Sequence, residues 1–248
     1  MRWMRQCSVY KRILYNTGVL FVIFGMMSIS ILADGKEEIK KENTCIKTSI
    51  LYRAWSQLDQ TLYGTAEEVI QPGAYPIMGK TMITVDQMVK YYESNGGIYP
   101  DKVLKNGGAS DIQAFCTIYY EEAVAEGVKA EVAFTQTMKE TGWLQYGGDS
   151  KVEQYNFAGL GTTGGGVQGN AFSDVRTGIR AQIQHLKAYA TKEPLTKECV
   201  DNRYEYVEKG SAPYVEWLGQ QENPAGKGWA AAPQYGYDIV QMIQGLKK

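Results

Sequence analysis

Between residues 147 and 169 the chain carries eight glycines: Gly147, Gly148, Gly159, Gly161, Gly164, Gly165, Gly166 and Gly169. A regular helix does not tolerate that density, because each interior glycine costs ~1 kcal/mol relative to alanine. The stretch therefore predicts turns and a small irregular sheet. What flanks it reads as helix. "TVDQMVKYYESNG" (84–96) begins with a Thr or Asp cap, carries Val85, Met88, Val89 and Tyr92, and ends at glycine. The next helix opens at Ser110, with Gln113 three residues on as in a capping box, and stops at Gly127. Another runs from about Lys129 to Thr141, with Gly142 as its stop. "DVRTGIRAQIQHLKAYA" (174–190) and a final "YGYDIVQMIQGL" complete the set. The expected architecture is mainly α (α+β), with one glycine-rich lobe set after the helix that ends at Glu140.

The N-terminus dictates where such a body sits. Arg2, Arg5, Lys11 and Arg12 precede residues 13–33, a run with no charged side chain that ends at Asp34. Its length fits a membrane span of ~20 residues, and the basic residues before it place the remainder outside the membrane. A cleaved secretory signal is the alternative. Ala33 suits the cut and Ile31 suits it poorly, while Asn16 and Thr17 leave an apolar core of about 15 residues, the upper limit for a signal. Residues 34–44, "DGKEEIKKENT", read as a charged stalk. Residues 46–63 have helical periodicity, and 71–80 form a Pro- and Gly-containing loop. The organisation is an anchor or signal (1–33), a stalk (34–44), a helical extension (45–108) and a main domain (109–248).

Composition removes some classes of function. The formal net charge is −1, and no basic run is interleaved with aromatics, so nucleic acid is not an expected partner. The 18 tyrosines suit sugar-binding faces as well as cores. Cys7 lies before the apolar run, which leaves Cys45, Cys116 and Cys199 outside, an odd number. A Cys116–Cys199 bridge and a buried free Cys116 both remain open. His185 is the single histidine and reads as structural or exposed; with no zinc-type spacing, neither metal nor cofactor is expected.

Glu140 is the residue that asks for chemistry. On a helical wheel over 129–141, Glu131, Thr135 and Lys139 share one arc, while Glu140 lands beside Ala133 and Thr137 on the apolar side. A sheltered carboxyl loses hydration, its pKa rises, and it can hold a proton near neutral pH as a general acid. The competing reading is a last-turn residue that reaches solvent past Gly142.

The residues "AEVAFTQTMKETGWLQYGG" (130–148) followed by "YNFAGLGTTGG" (155–165) resemble the glucosaminidase domains of glycoside hydrolase family 73, bacterial peptidoglycan hydrolases with a lysozyme-like fold. The resemblance continues in "AFSDVRTGIRAQIQHLKAYA" and "WAAAPQYGYDI" and spans roughly residues 110–245. It implies an endo-β-N-acetylglucosaminidase acting on peptidoglycan strands; the N-terminal run would hold it at the cell membrane or direct its secretion, and a monomer is expected. Glu140 would be the general acid. Tyr235 would hydrogen-bond near the cleaved bond, and Asn156 and Phe157 would shape the cleft floor. Trp143 and Tyr155 would be available to stack on sugars, although core packing suits Trp143 better. The chain departs from the family in "TTGGGVQGN", which lacks the second acid many members carry there. Asp149, Glu153 and Asp174 are the nearest carboxylates, Asp174 also being placed to cap its helix. Substrate assistance by the acetamido group is a further route. Two other functions fit the same residues: a lytic transglycosylase cutting after N-acetylmuramic acid, and an inactive glycan-binding scaffold.

Overall fold

Thr84 ends an extended segment and starts a helix. Its hydroxyl accepts from the Gln87 amide at 3.2 Å, and the Gln87 side chain accepts from the Thr84 amide at 2.9 Å. This reciprocal cap opens α1, Val85–Asn95. A computed structural model describes residues 75–162, 165–166 and 168–248. They fall in the second of two units into which the chain divides, Val69–Lys248. The apolar run 13–33, the stalk, the helix expected over 46–63 and Cys45 lie outside the described residues. No described helix is long and apolar enough to cross a membrane.

Five more helices follow: α2 Asp101–Leu104, α3 Ile112–Glu126, α4 Ala130–Glu140, α5 Val175–Ala190 and α6 Tyr235–Leu246. The short α2 lies between the helices expected over 84–96 and from Ser110. The cap of α3 is Asp111, not Ser110. The Asp111 carboxylate accepts from the Ala114 amide at 2.8 Å, and the Ser110 hydroxyl donates to that same carboxylate at 2.9 Å. A carboxylate is the stronger acceptor, so it takes the backbone donor. Asp174 caps α5 in the same way, accepting from the Thr177 amide at 2.8 Å.

α4 packs against α3, α5 and α6, and its residues from Ala130 to Met138 are all buried. The arc shared by Glu131, Thr135 and Lys139 is therefore not a solvent face: only Lys139, in the last turn, is partly exposed. Glu131 and Thr135 are inside: the Tyr75 hydroxyl donates to Glu131 at 3.0 Å, and the Thr135 hydroxyl donates to the Glu131 carbonyl at 2.7 Å. A helix walled on every side loses the amphipathic signature that the wheel relies on. Part of the cover comes from residues before 109. Tyr75, Ile77, Ile83, Met88 and Tyr92 share one apolar core with Phe115, Phe134 and Ile183. Isolated bridges tie Pro76 to Tyr214 and Met78 to Val128.

No strand forms among the described residues of the glycine-rich stretch, contrary to the sheet-like lobe expected there. Left-handed glycines interrupt any extended run: Gly161 has φ 78° and Gly169 φ 74°. A β-carbon on Gly169 would stand 2.5 Å from the Thr162 hydroxyl and 2.7 Å from the Leu160 carbonyl oxygen. The Asn156 side chain takes over the backbone pairing that a ladder would supply. It donates to the carbonyls of Leu160 (2.8 Å) and Asn170 (3.0 Å) and accepts from the Leu160 amide (2.9 Å). The lobe is a set of turns braced on one buried amide.

Cys116 and Cys199 do not pair. Cys116 is buried on α3 and Cys199 is exposed in the segment after α5, both as free thiols. That segment is clamped instead by carboxylates of α3. Glu126 accepts from the Thr196 amide (2.8 Å), the Lys197 amide (2.9 Å) and the Lys187 ammonium (2.9 Å).

Candidate active site

Glu140 is the last residue of α4, and the chain beyond it turns sharply. Gly142, Trp143 and Leu144 have φ of 55°, 60° and 63°, a left-handed run in which two members are not glycine. Such residues are uncommon and cost of order 1–3 kcal/mol each unless the surroundings hold them. Here the Thr141 hydroxyl accepts from the Leu144 amide at 2.9 Å, and the Trp143 amide reaches back to the Met138 carbonyl at 2.8 Å. The turn throws the chain over the end of α4 and opens a cleft of about 560 Å³. Glu140, Thr141, Tyr146, Asp149, Ala158 and Trp229 are among its walls.

Glu140 is exposed to solvent through the mouth of this cleft, not sheltered as the wheel implied. The helix ends there, and the loop that faces it leaves a gap. Protein nevertheless surrounds the carboxyl closely enough to strip part of its hydration. Desolvation raises its pKa, against a hydrogen bond from Tyr235 and the positive charge of Lys139. Lys139 itself is held 2.7 Å from Asp238 on α6.

Tyr235 begins α6 and is buried. Its hydroxyl donates a short hydrogen bond to Oε1 of Glu140. Burial, then the neighbouring Glu140 charge, hold the phenol well above its ordinary pKa, so Tyr235 is a neutral donor. The Gln136 amide nitrogen donates to the Tyr235 oxygen at 3.0 Å, and the Gln182 nitrogen donates to Gln136 at 2.9 Å.

The other residues singled out from the sequence separate into those at the cleft and those behind it. Asp149 lines the cleft and accepts from the Gly166 amide at 3.2 Å. Glu153 is exposed on the 3₁₀ turn Val152–Gln154, away from the cleft lining. Asp174 is spent as the α5 cap. Desolvation opposes its charge, but bonds from Thr177 and Ser173 outweigh it and lower its pKa. Asn156 and Phe157 stand one layer behind the floor. Asn156 is consumed by the turn it braces, and Phe157 packs on Phe115 with ring centroids 5.1 Å apart. Ala158 and Gly159 form the floor in their place. Trp143 packs on Tyr91 at 5.2 Å, and the Tyr155 ring covers Gly107.

Tyr146 and Trp229 line the cleft without having been anticipated. Tyr146 reaches it only through the left-handed turn, and no sequence pattern announces such a turn. Trp229 opens the "WAAAPQYGYDI" segment, a signal that was available. Its ring stands edge-on to His185 at 4.9 Å, and His185 is buried against Asp201, 2.6 Å away. The histidine is thus a structural support behind the Trp229 wall. A second depression of about 480 Å³ beside Arg176 is lined by the helix cap Asp111 and by Gly107 and Gly108. Arg176 there is already paired with Glu121 and Glu122.

A carboxyl of raised pKa, gripped by a neutral phenol at the foot of an open cleft, is equipment for proton transfer on a bulky substrate. The chain belongs to the Glucosaminidase family, described as mannosyl-glycoprotein endo-beta-N-acetylglucosaminidase, whose profile matches residues 116–248. That span includes α4, the lobe, α5 and α6. An uncharacterized protein of Borreliella burgdorferi is 43% identical over 97 residues, which cover 39% of this chain and 48% of that protein. The chain therefore spans about half the length of the curated relative it matches. No solved structure matches it.

Proposed function

We propose that this chain is a peptidoglycan hydrolase, an endo-β-N-acetylglucosaminidase that cleaves the β-1,4 bond after N-acetylglucosamine with Glu140 as general acid. The observation that carries the reading is the Glu140–Tyr235 pair at the foot of the cleft, within a glucosaminidase-family domain. Protonated Glu140 delivers its proton to the leaving oxygen as the glycosidic bond breaks. A helical body with an irregular lobe flanking the acid is the plan expected of a lysozyme-like glycosidase.

Asp149 is the second group of this mechanism. It is the carboxylate that shares the cleft with Glu140 among the described lining residues, and its tether to Gly166 couples it to the lobe. As a general base it would activate water on the opposite face of the sugar, a role that needs ~6.5–9.5 Å between the two carboxyls. Substrate assistance by the acetamido oxygen would leave Asp149 to orient that group. Trp229 gives a sugar ring an aromatic wall. Residues 13–33, as an anchor or as a cleaved signal, would place this activity outside the membrane.

Mass spectrometry of digested peptidoglycan tests the reading. Reducing-end N-acetylglucosamine is the expected product, and it should be absent with Glu140→Gln. Anhydromuramic ends would make the protein a lytic transglycosylase, and an intact polymer would make it a glycan-binding scaffold.

A further inference from the structure

Glu140 stands at the end of a buried hydrogen-bond chain whose polarity is set far from the cleft. Gln182, on α5, is fully buried. One end of its amide lies 3.0 Å from the Ala133 carbonyl oxygen, which can only accept, so that end is the nitrogen. The same nitrogen lies 2.9 Å from the Gln136 amide, which must present its oxygen there. Gln136 consequently turns its nitrogen to Tyr235. The Tyr235 oxygen accepts that hydrogen, and its own single proton is left for Oε1 of Glu140. At the far end, the Gln182 oxygen collects the hydroxyls of Tyr119 (2.6 Å) and Thr137 (2.8 Å). One backbone carbonyl of α4 thus dictates the direction of every link.

The direction matters for Glu140. With Oε1 occupied as an acceptor, a proton on this carboxyl resides on Oε2. That oxygen lies toward Gly159, 4.0 Å from where a β-carbon on that cleft-floor residue would sit. We propose that Gln182 and Gln136 are positioning residues that aim the Tyr235 hydroxyl at Oε1, so that Glu140 presents its transferable proton on Oε2, toward the cleft. The proposal rests on the reading of Glu140 as the general acid. Without the Gln182 amide to hold its oxygen, Gln136 could turn that oxygen to Tyr235 and take the phenol proton instead. Glu140 would then have to protonate Oε1 to keep its bond to the phenol, and its proton would face the core.

Gln136→Glu tests this by reversing one link at nearly constant shape. One oxygen of the introduced carboxylate still accepts from Gln182, while the other takes the Tyr235 proton and leaves Glu140 without its donor. The remaining groups facing Glu140 are Lys139 on α4, with Asp238 on α6 behind it, and Tyr146 and Asp149 across the cleft. They are the same in parent and variant; the introduced carboxylate is the one added charge, which by itself also raises the Glu140 midpoint, so the uncharged Gln182→Met is the variant that reads the hydrogen bond alone. The full chain would be labelled with 13Cδ-glutamate, with Glu140→Gln identifying the Glu140 resonance and near-UV circular dichroism confirming the fold. In Gln136→Glu the Glu140 midpoint should rise by about one unit or more. The alkaline limb of kcat/KM should rise with it, and kcat should fall ~100-fold with KM little changed. Gln182→Met, which frees the Gln136 amide without adding charge and also removes the partner of Ala133, Tyr119 and Thr137, should move the midpoint the same way by less, and it decides the matter if Gln136→Glu does not fold. A folded variant whose Glu140 titrates as in the parent overturns the proposal. A shifted midpoint in a protein whose parent cleaves no glycan overturns it too, but through the acid assignment, leaving the hydroxyl orientation in place.

Discussion

A carboxyl at the last position of α4 meets two penalties at once. The cleft walls remove part of its hydration, and the negative end of the helix macrodipole disfavours charge there. The Tyr235 hydrogen bond and Lys139 offset these only in part. Because its folded pKa lies above the unfolded value, the stabilisation linked to its protonated form is complete below the unfolded pKa. It is lost as pH rises through the folded one. Activity that needs the protonated acid should fall over the same upper limb. Glu140→Gln keeps an oxygen for Tyr235 and removes the poorly tolerated charge. It should lower kcat by ~10²–10⁴ while the melting temperature at neutral pH stays equal or rises; calorimetry beside the digest checks both. A folded variant that still hydrolysed the polymer would sink the assignment. The wheel pointed to Glu140 among its neighbours, yet it placed Glu131 and Thr135 in water when both are buried. Periodicity reports faces, and α4 has none.

The helices of the described region were legible as elements because their caps are local chemistry. Thr84 with Gln87, Asp174 and the glycine at 127 each act within a few residues of themselves. The lobe is different, since its conformation comes from contacts across the chain. Gly178 shows this at the junction of α5 with the lobe. A β-carbon there would stand 1.8 Å from the Tyr155 carbonyl oxygen, in a helix where alanine would ordinarily be preferred. Gly178→Ala should therefore destabilise by about 3 kcal/mol and displace the Asn156 turn that seats Ala158 and Gly159 in the cleft. Gly142 makes the contrasting case. A β-carbon at Gly142 meets nothing within 4 Å, but its φ is 55°, so Gly142→Ala should cost only about 1 kcal/mol of left-handed strain. Urea unfolding of the two variants side by side separates packing from backbone strain, and equal costs would contradict this account.

Over the whole described unit, a cluster of buried acids and cations joins α3 to α5 and to the segment that follows. Glu122 accepts from Arg176 and Arg180, each at 2.8 Å, and from Lys197 at 3.0 Å. Desolvation opposes its charge, but Arg180, Arg176 and Lys197 prevail and bring its pKa down to about 2. A depressed carboxylate pKa contributes stability above the unfolded value, and that contribution is lost as pH falls toward the folded one. Glu122→Gln should accordingly cost about 3 kcal/mol at neutral pH, the lower end for a buried pair because all three cations reach solvent. The gap between parent and variant should close between pH 4.5 and about 2. Denaturation across that range measures it, and a constant gap would remove the ion cluster as its source.

The sequence by itself determined the mainly helical class, the helix ends and the candidacy of Glu140, because capping, periodicity and motif order depend on neighbours within a turn or two. It also brought out Tyr235, through a segment close to the last helix. Only the tertiary structure decided that α4 is enclosed from Ala130 to Met138 and that Asn156 braces the lobe where a sheet was expected. Packing alone likewise retired Asp174 to a cap, kept Cys116 and Cys199 apart and set Trp229 over a His185–Asp201 pair. The polarity of the chain from Ala133 through Gln182 and Gln136 to Tyr235 belongs to the same category. Its links join α4, α5 and α6 across 99 positions of sequence, and a hydrogen bond's direction is settled only when every partner is in place.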